Sequence, residues 1–147
     1  MKKLFFLFIY LIPLLSQAQT IKTDVLVLGN SNAAFAAGIQ ASESGVNTII
    51  LTQSDGFKLS EFNKIPQTGI TKAFEKRARK SLKIADSIAL PEITNQILNA
   101  VIKNWSDSSK LLDVTNNTTY FELKRSGSGW EAKLTKEKSI KAKVLIV

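Results

Sequence analysis

The sequence predicts an α/β fold built on a strand–helix–strand unit whose two strands are parallel. Two short, mostly apolar runs, Val25–Leu28 and Thr48–Leu51, have the composition of strands that are buried on both faces. An alanine-rich segment of helix-forming residues, Ala33–Ser44, lies between them, and Gly45 is placed to end that helix. A strand, a tight turn, a helix and a second strand within about thirty residues make a βαβ unit, for which a right-handed crossover is expected.

Residues 1–18 have the order of an export signal. Lys2 and Lys3 are followed by the apolar run Leu4–Leu15 and then by the small residues of Ser16–Ala18. The apolar run is about a dozen residues long, whereas a membrane-spanning helix needs roughly 20, so an uncleaved anchor is the less favoured alternative. We therefore expect cleavage after Ala18, a periplasmic or secreted product, and no stable membrane anchor after cleavage.

Residues 19–147 have the length of one modest domain. We expect the first strand at Ile21–Leu28. Residues 53–110 are predicted to form an irregular loop followed by a helical insertion. Apolar residues at helical spacing predict one helix over Thr71–Ile88, and Pro91 is expected at the first position of another. The buried stripe of this second helix is predicted to be Ile93, Ile97, Val101 and Trp105.

A short strand at Leu111–Thr115 and a β-meander with a returning strand are expected in the last part of the chain, the meander and returning strand over residues 118–147. Thr118–Leu123 and Gly129–Thr135 are predicted to form a hairpin that turns at Ser126–Ser128. The returning strand, Ser139–Val147, ends in four consecutive apolar residues and is expected beside the first strand.

The composition excludes several kinds of site. Cysteine and histidine are both absent, which removes disulfides, thiolate nucleophiles, the commonest general base and the commonest metal ligand. We therefore expect no metal site, and no residue is assigned as a catalytic acid or base. The chain has 20 Lys and Arg against 12 Asp and Glu, but net charge alone does not predict a nucleic-acid partner, and none is expected.

The turn between the first strand and the first helix has the features of a dinucleotide site. Gly29 permits a tight exit from the strand, Ser31 is small enough for a pyrophosphate to approach the backbone, and Ala34 allows close packing of helix on strand. The free N–H groups and the dipole of the first helical turn favour a phosphate there. The simpler interpretation is an ordinary strand-to-helix loop of an α/β domain.

The stretch Asp24–Ala37 resembles the N-terminus of the FAD-dependent oxidoreductases, in particular exported bacterial members of that family. Thr48–Leu51, Ser54-Asp55 and Ile140–Ile146 match later pieces of the family in order. The resemblance implies a Rossmann-like FAD/NAD(P)-binding fold with a small β-meander, bound FAD, and flavin-mediated hydride transfer with an unknown small-molecule substrate. The implied cofactor-binding residues are Gly29, Asn30, Ser31, Asn32, Ala33, Ala34, Thr52 and Gln53.

The sequence also departs from the family. Thr52 stands where the family has an acidic residue for the adenosine ribose, and the segment after Gly56 lacks a second glycine. The sequence ends at Val147, before the family's usual Ala-Thr-Gly turn, so the fold is expected to be incomplete relative to the family. Two interpretations stay open. One is an FAD-dependent oxidoreductase or an N-terminal fragment of one, and the other is a non-catalytic exported α/β protein that has lost its cofactor.

Overall fold

The computed structural model describes residues 19–58, 69–135 and 137–147. The predicted export signal, residues 1–18, and most of the predicted loop before Gly69 lie outside the described residues. Within the described ranges, no helix is long and apolar enough to cross a membrane. The elements follow one another as β1 Gln19–Leu28, α1 Asn32–Glu43, β2 Thr48–Leu51, α2 Ile70–Leu82, α3 Asn95–Ser108, β3 Leu112–Thr115, β4 Glu122–Ser126, β5 Gly129–Lys133 and β6 Lys138–Ile146.

The strands form one mixed sheet in the order β3-β2-β1-β6-β5-β4. β1 is parallel to β2, with Leu28 opposite Leu51, and also parallel to β6, with Val25 opposite Val144. β3 extends the parallel part beyond β2, whereas β4 and β5 form an antiparallel hairpin that pairs with β6. The structure confirms the predicted α/β class, the parallel βαβ unit and the returning strand beside β1.

Alternate residues of β1 and β2 are buried on opposite faces of the sheet, as the continuous apolar runs predict. On the helix face, the ring of Phe35 in α1 makes edge contacts with three other rings. The ring centroids of Phe57, Phe74 and Trp105 lie 5.7, 6.2 and 5.7 Å from that of Phe35. On the other face, residues of β1 and β2 cluster with residues of the meander and β6, namely Leu26, Leu28, Ile49, Leu51, Ala132, Ile140 and Ala142.

The predicted extent of α2 is wrong at its C-terminal end, because the helix stops at Leu82 and not at Ile88. Lys83 adopts a left-handed conformation with φ of 55°, and the N–H of Ile84 donates to the carbonyl of Arg79 at 2.9 Å. Nη1 of Arg79 then donates to the carbonyl of Ile88 at 2.6 Å, which fixes the segment that follows. These local hydrogen bonds to main-chain carbonyls end the helix at Leu82, although the apolar spacing alone would continue it.

The predicted start of α3 at Pro91 is also wrong. The N-cap is Thr94, whose Oγ1 accepts a hydrogen bond from the N–H of Ile97 at 3.3 Å. Ile93 therefore precedes the helix, and the buried stripe is Leu98, Val101, Ile102 and Trp105.

The first strand of the predicted hairpin begins four residues later than expected, at Glu122 instead of Thr118. The N–H of Thr118 donates to the carbonyl of Thr52 at 3.0 Å, so this part of the chain is still attached to the end of β2. The hairpin itself is confirmed, with Ser126 opposite Gly129 and the turn at Gly127 and Ser128.

Candidate functional site

The turn after β1 requires glycine because of its backbone conformation. Gly29 has a φ of 137°, which residues with a side chain rarely adopt, and its N–H donates to the carbonyl of Leu51 at 3.0 Å. Space is not the constraint, since a Cβ built on Gly29 would lie 3.5 Å from the Cβ of Ala34, an ordinary contact. The turn is therefore fixed at the carboxyl ends of two neighbouring parallel strands.

Ser31 is the N-cap of α1. Its Oγ accepts a hydrogen bond from the N–H of Ala34 at 3.2 Å, and its carbonyl accepts one from the N–H of Phe35 at 3.0 Å. Helix geometry leaves the N–H groups of Asn32 and Ala33 without an acceptor inside the helix, and the dipole places partial positive charge at them. The Oδ1 of Asn32 is buried and has no hydrogen-bond partner among the described residues. The two N–H groups without an intrahelical acceptor make this end of α1 available to an anionic group.

The side chain of Asn30 joins the turn after β1 to the loop after β2. Its Nδ2 donates to the Oγ of Ser54 at 2.8 Å, and the main-chain carbonyl of Asn30 accepts from the N–H of Lys58 at 3.1 Å. Ser54 Oγ in turn donates to the carbonyl of Gly56 at 2.9 Å. These bonds hold two loops from different strands side by side, so they form one continuous wall.

Thr52 and Gln53, which the resemblance placed at the adenosine ribose, occupy different environments. Thr52 is fully buried, and its hydroxyl donates to the carbonyl of Ser54 at 2.7 Å. The N–H of Ser54 donates back to that hydroxyl at 3.2 Å, so Thr52 closes a local turn. Gln53 is exposed and makes no side-chain hydrogen bond within the described part of the chain. Thr52 is therefore turned away from solvent, whereas Gln53 is exposed to it.

A cavity of about 410 Å³ opens at the carboxyl ends of β1 and β2. It lies at the position where ligands bind in open α/β sheets, outside the carboxyl ends of the strands. The predicted residues that line it are Gly29, Asn30 and Gln53, whereas Ser31, Asn32, Ala33 and Ala34 form the adjoining first turn of α1. The complete lining is Leu28, Gly29, Asn30, Leu51, Gln53, Ser54, Tyr120 and Val147.

Tyr120 belongs to the cavity although sequence reasoning did not select it. It precedes β4 in the chain, and its place depends on the attachment of Thr118 to the end of β2. No motif in the sequence marks that attachment. Val147 reaches the cavity because β6 runs parallel to β1, a pairing that was predicted, although its role as a lining residue was not.

The described residues that follow Ser54, 55–58, do not line the cavity. The ring of Phe57 is buried in the helix-face core, and its N–H donates to the Oδ1 of Asn99 at 2.9 Å. Gly56 has a φ of 149°, and a Cβ there would overlap the side-chain amide of Asn99. The single glycine at this place thus serves contact with α3, and the bulk of Phe57 points into the core.

The groups with shifted pKa values lie away from the cavity. The hydrogen bond from Lys143, with one from the main chain of Asn47, holds the pKa of Asp24 below its ordinary value. On the hairpin, the hydrogen bond with Lys133 lowers the pKa of Glu122, and the same bond raises the pKa of Lys133. Among the described residues, no cluster of acidic side chains could hold a metal ion.

No protein-family model and no curated protein sequence matches this chain. Solved structures do match it, and they are FAD/NAD(P)-binding Rossmann-like proteins. The bacillithiol disulfide reductase Bdr (YpdA) from Staphylococcus aureus is 16% identical with a TM-score of 0.51, and the match covers 85% of this chain and 37% of that one. T. acidophilum thioredoxin reductase is 17% identical with a TM-score of 0.53, covering 85% and 34%.

A third similar structure is the flavin-dependent monooxygenase PieE in complex with FAD and substrate. It is 12% identical with a TM-score of 0.56, and the match covers 85% of this chain and 30% of that one. The chain therefore spans about a third of the length of these proteins. The likeness confirms the predicted Rossmann-like fold.

Proposed function

We propose that this chain is the N-terminal dinucleotide-binding portion of an FAD-dependent oxidoreductase of an exported type. The observation that carries the proposal is the turn at Gly29, which delivers the capped N-terminus of α1 to the edge of a cavity at the carboxyl ends of β1 and β2. Strand, tight turn and helix N-terminus in this order are the parts that bind a pyrophosphate in dinucleotide-binding folds.

The residues present fit the adenosine diphosphate part of such a cofactor. The cavity of about 410 Å³ lies within the usual range for small-molecule sites, roughly 300–1,000 Å³. The N–H groups of Asn32 and Ala33 would hold the pyrophosphate, and Gln53 would face the ribose. Bound FAD would supply the hydride-transfer chemistry, while this chain would bind and orient the cofactor.

The alternative, an exported α/β protein that has lost its cofactor, is favoured by one observation. A carboxylate at the ribose would accept charge-assisted hydrogen bonds worth roughly 1.5–3 kcal/mol, against about 0.5–1.5 for a neutral partner. The threonine at the expected acidic position is buried, and its hydroxyl is committed to Ser54. The two functions therefore differ in whether the chain binds an adenine nucleotide at all.

Ser31→Asp tests the cofactor proposal. Aspartate keeps the N-cap and favours the helix dipole, so stability should be kept or raised. Its negative charge would stand where the pyrophosphate has to bind, and we expect affinity for ADP to fall by at least about tenfold. Calorimetric titration of ADP into the full chain measures the affinity, and urea unfolding measures the stability.

Thr94→Asp is the matched control, because it makes the same kind of exchange at the N-cap of α3. ADP should bind this variant as it binds the unaltered chain. If the unaltered chain binds no ADP at millimolar concentration, the cofactor-free alternative is correct. If Ser31→Asp binds ADP normally, the nucleotide does not lie on α1.

We also propose that residues 1–18 act as an export signal that is removed after Ala18. The proposal rests on the basic start, the apolar run and the small residues at the cleavage point. Cleavage there would spare every described strand, since β1 begins at Gln19. Mass spectrometry of the exported protein should find Gln19 at the N-terminus, and a soluble product that retains Met1 would refute the proposal.

A further inference from the structure

We propose that Gln53 makes the ribose subsite neutral, so that the site accepts adenine nucleotides with a phosphate on the 2′-hydroxyl as well as those without one. This inference rests on the proposed function, because it concerns the same cavity. It makes Gln53 the residue that determines whether the site discriminates between adenine nucleotides with and without a 2′-phosphate.

The lining of the cavity contains polar side chains but no charged side chain. Its polar side chains are Asn30, Gln53, Ser54 and Tyr120, and no side-chain carboxylate lines the cavity within the described residues. Asn30 and Ser54 bond to each other at 2.8 Å, which leaves Gln53 and Tyr120. Of these two, Gln53 lies just after β2, and its exposed side-chain amide makes no hydrogen bond to the described residues. An amide both donates and accepts, so it suits a hydroxyl and a phosphate oxygen equally.

The loop after β2 carries charged side chains of both signs next to the cavity. Asp55 follows Ser54 in the chain but is not part of the lining, and its Oδ1 accepts from the Nδ2 of Asn117 at 3.1 Å. Lys58 is carried by the same loop, since its N–H donates to the carbonyl of Asn30. The N-terminus of α1 adds partial positive charge. No side chain among these lining residues would repel a second phosphate.

A carboxylate at the end of the second strand selects against a 2′-phosphate in two ways. It accepts hydrogen bonds from free ribose hydroxyls, and it repels a phosphate that carries about two negative charges. Such rejection by a like charge is a common source of specificity. Because the buried hydroxyl of Thr52 and the amide of Gln53 replace that carboxylate here, the selection against the 2′-phosphate is absent.

The experiment compares calorimetric titrations of ADP and of 2′-phospho-ADP into the full chain. We expect the two dissociation constants to agree within a factor of about three. In Gln53→Glu we expect ADP to bind at least as tightly as before and 2′-phospho-ADP to bind at least about tenfold more weakly than ADP. Gln96→Glu makes the same change at an exposed position on α3 and should leave both affinities unaltered.

Three results would overturn the inference. If the unaltered chain prefers ADP by about tenfold or more, the subsite already rejects the 2′-phosphate, although the proposed function stands. If Gln53→Glu binds both nucleotides equally, Gln53 does not face the ribose. If neither nucleotide binds at millimolar concentration, the proposed function fails together with the inference.

Discussion

The carboxylate of Asp24 ties β1 to both of its neighbours in the sheet. Its Oδ1 pairs with the Nζ of Lys143 on β6 at 2.6 Å. Its Oδ2 accepts a hydrogen bond from the N–H of Asn47, just before β2, at 3.0 Å. Both contacts favour the ionised carboxylate, so the pKa of Asp24 is lower in the folded chain than the ordinary value of 3.8.

The sign of the pH effect follows from this lowered pKa. The stability that Asp24 contributes is present above its unfolded pKa and is lost as the pH falls through its folded pKa. We expect Lys143→Met to raise the pKa of Asp24 toward 3.8, as measured by NMR titration of the carboxyl carbon. We also expect Asp24→Asn to flatten the acid limb of the stability curve below about pH 4, as measured by urea unfolding. An unchanged pKa in Lys143→Met would show that the ion pair does not form in solution.

At the end of β2, residue counting gives Thr52 and Gln53 as candidates for the ribose position, and of the two only Gln53 lines the cavity. The sequence places Thr52 and Gln53 together after the strand, and both types are polar. The structure separates them because the hydroxyl of Thr52 closes a turn with the main chain of Ser54, whereas Gln53 is exposed and lines the cavity. A hydrogen bond of this kind leaves no signal in residue spacing.

At the scale of elements, α1 lies very close to β2, and Gly38 makes this possible. A Cβ built on Gly38 would overlap the Cγ1 and Cδ1 atoms of Ile50. Overpacking of a core typically costs about 1–3 kcal/mol, while alanine gains about 1 kcal/mol over glycine inside a helix. We therefore expect Gly38→Ala to lower the free energy of unfolding by up to about 2 kcal/mol, measured by urea denaturation.

A double-mutant cycle separates these two effects. In an Ile50→Ala background the overlapping atoms are gone, so Gly38→Ala should stabilise the chain by about 0.5–1 kcal/mol through helix propensity alone. The sign of the same substitution would thus reverse between the two backgrounds. If Gly38→Ala has the same sign in both, the distance between α1 and β2 is not set by this contact.

The elements that the sequence predicted well are those that contain a continuous apolar or alanine-rich run. β1, α1, β2 and β6 have continuous apolar or alanine-rich runs, and their predicted bounds differ from the observed ones by at most two residues. The ends of α2 and α3 depend on single contacts instead. Lys83 in a left-handed conformation and the cap at Thr94 decide them, and apolar periodicity contains neither.

At the scale of the whole molecule, the position of β1 determines the site. β1 lies between β2 and β6 and is parallel to both, so the carboxyl ends of three strands meet at one edge of the sheet. The sequence predicted both the βαβ unit and the returning strand, so this juxtaposition was predictable. The contribution of Tyr120 was not, because the crossing of the chain from Thr118 to β4 depends on tertiary contacts far apart in sequence.

The extent of the cavity predicts how the chain distinguishes FAD from its ADP half. All eight lining residues surround one space of about 410 Å³ beside the N-terminus of α1, where the pyrophosphate and adenosine are proposed to lie. Small-molecule sites normally bury most of their ligand, and this one space is proposed to hold the adenosine and the pyrophosphate. The flavin half should therefore gain few contacts, and we expect FAD and ADP to bind the chain with dissociation constants that agree within a factor of about three. Both should be weak, because the ribose lacks a charged acceptor, and the purified chain should be colourless. Calorimetry with ADP and flavin fluorescence with FAD measure the two constants.

FMN is the control, since it carries the flavin without the adenosine and should not bind. Binding of FAD at least about thirtyfold tighter than that of ADP, or a yellow protein as purified, would show that the chain encloses the flavin as well.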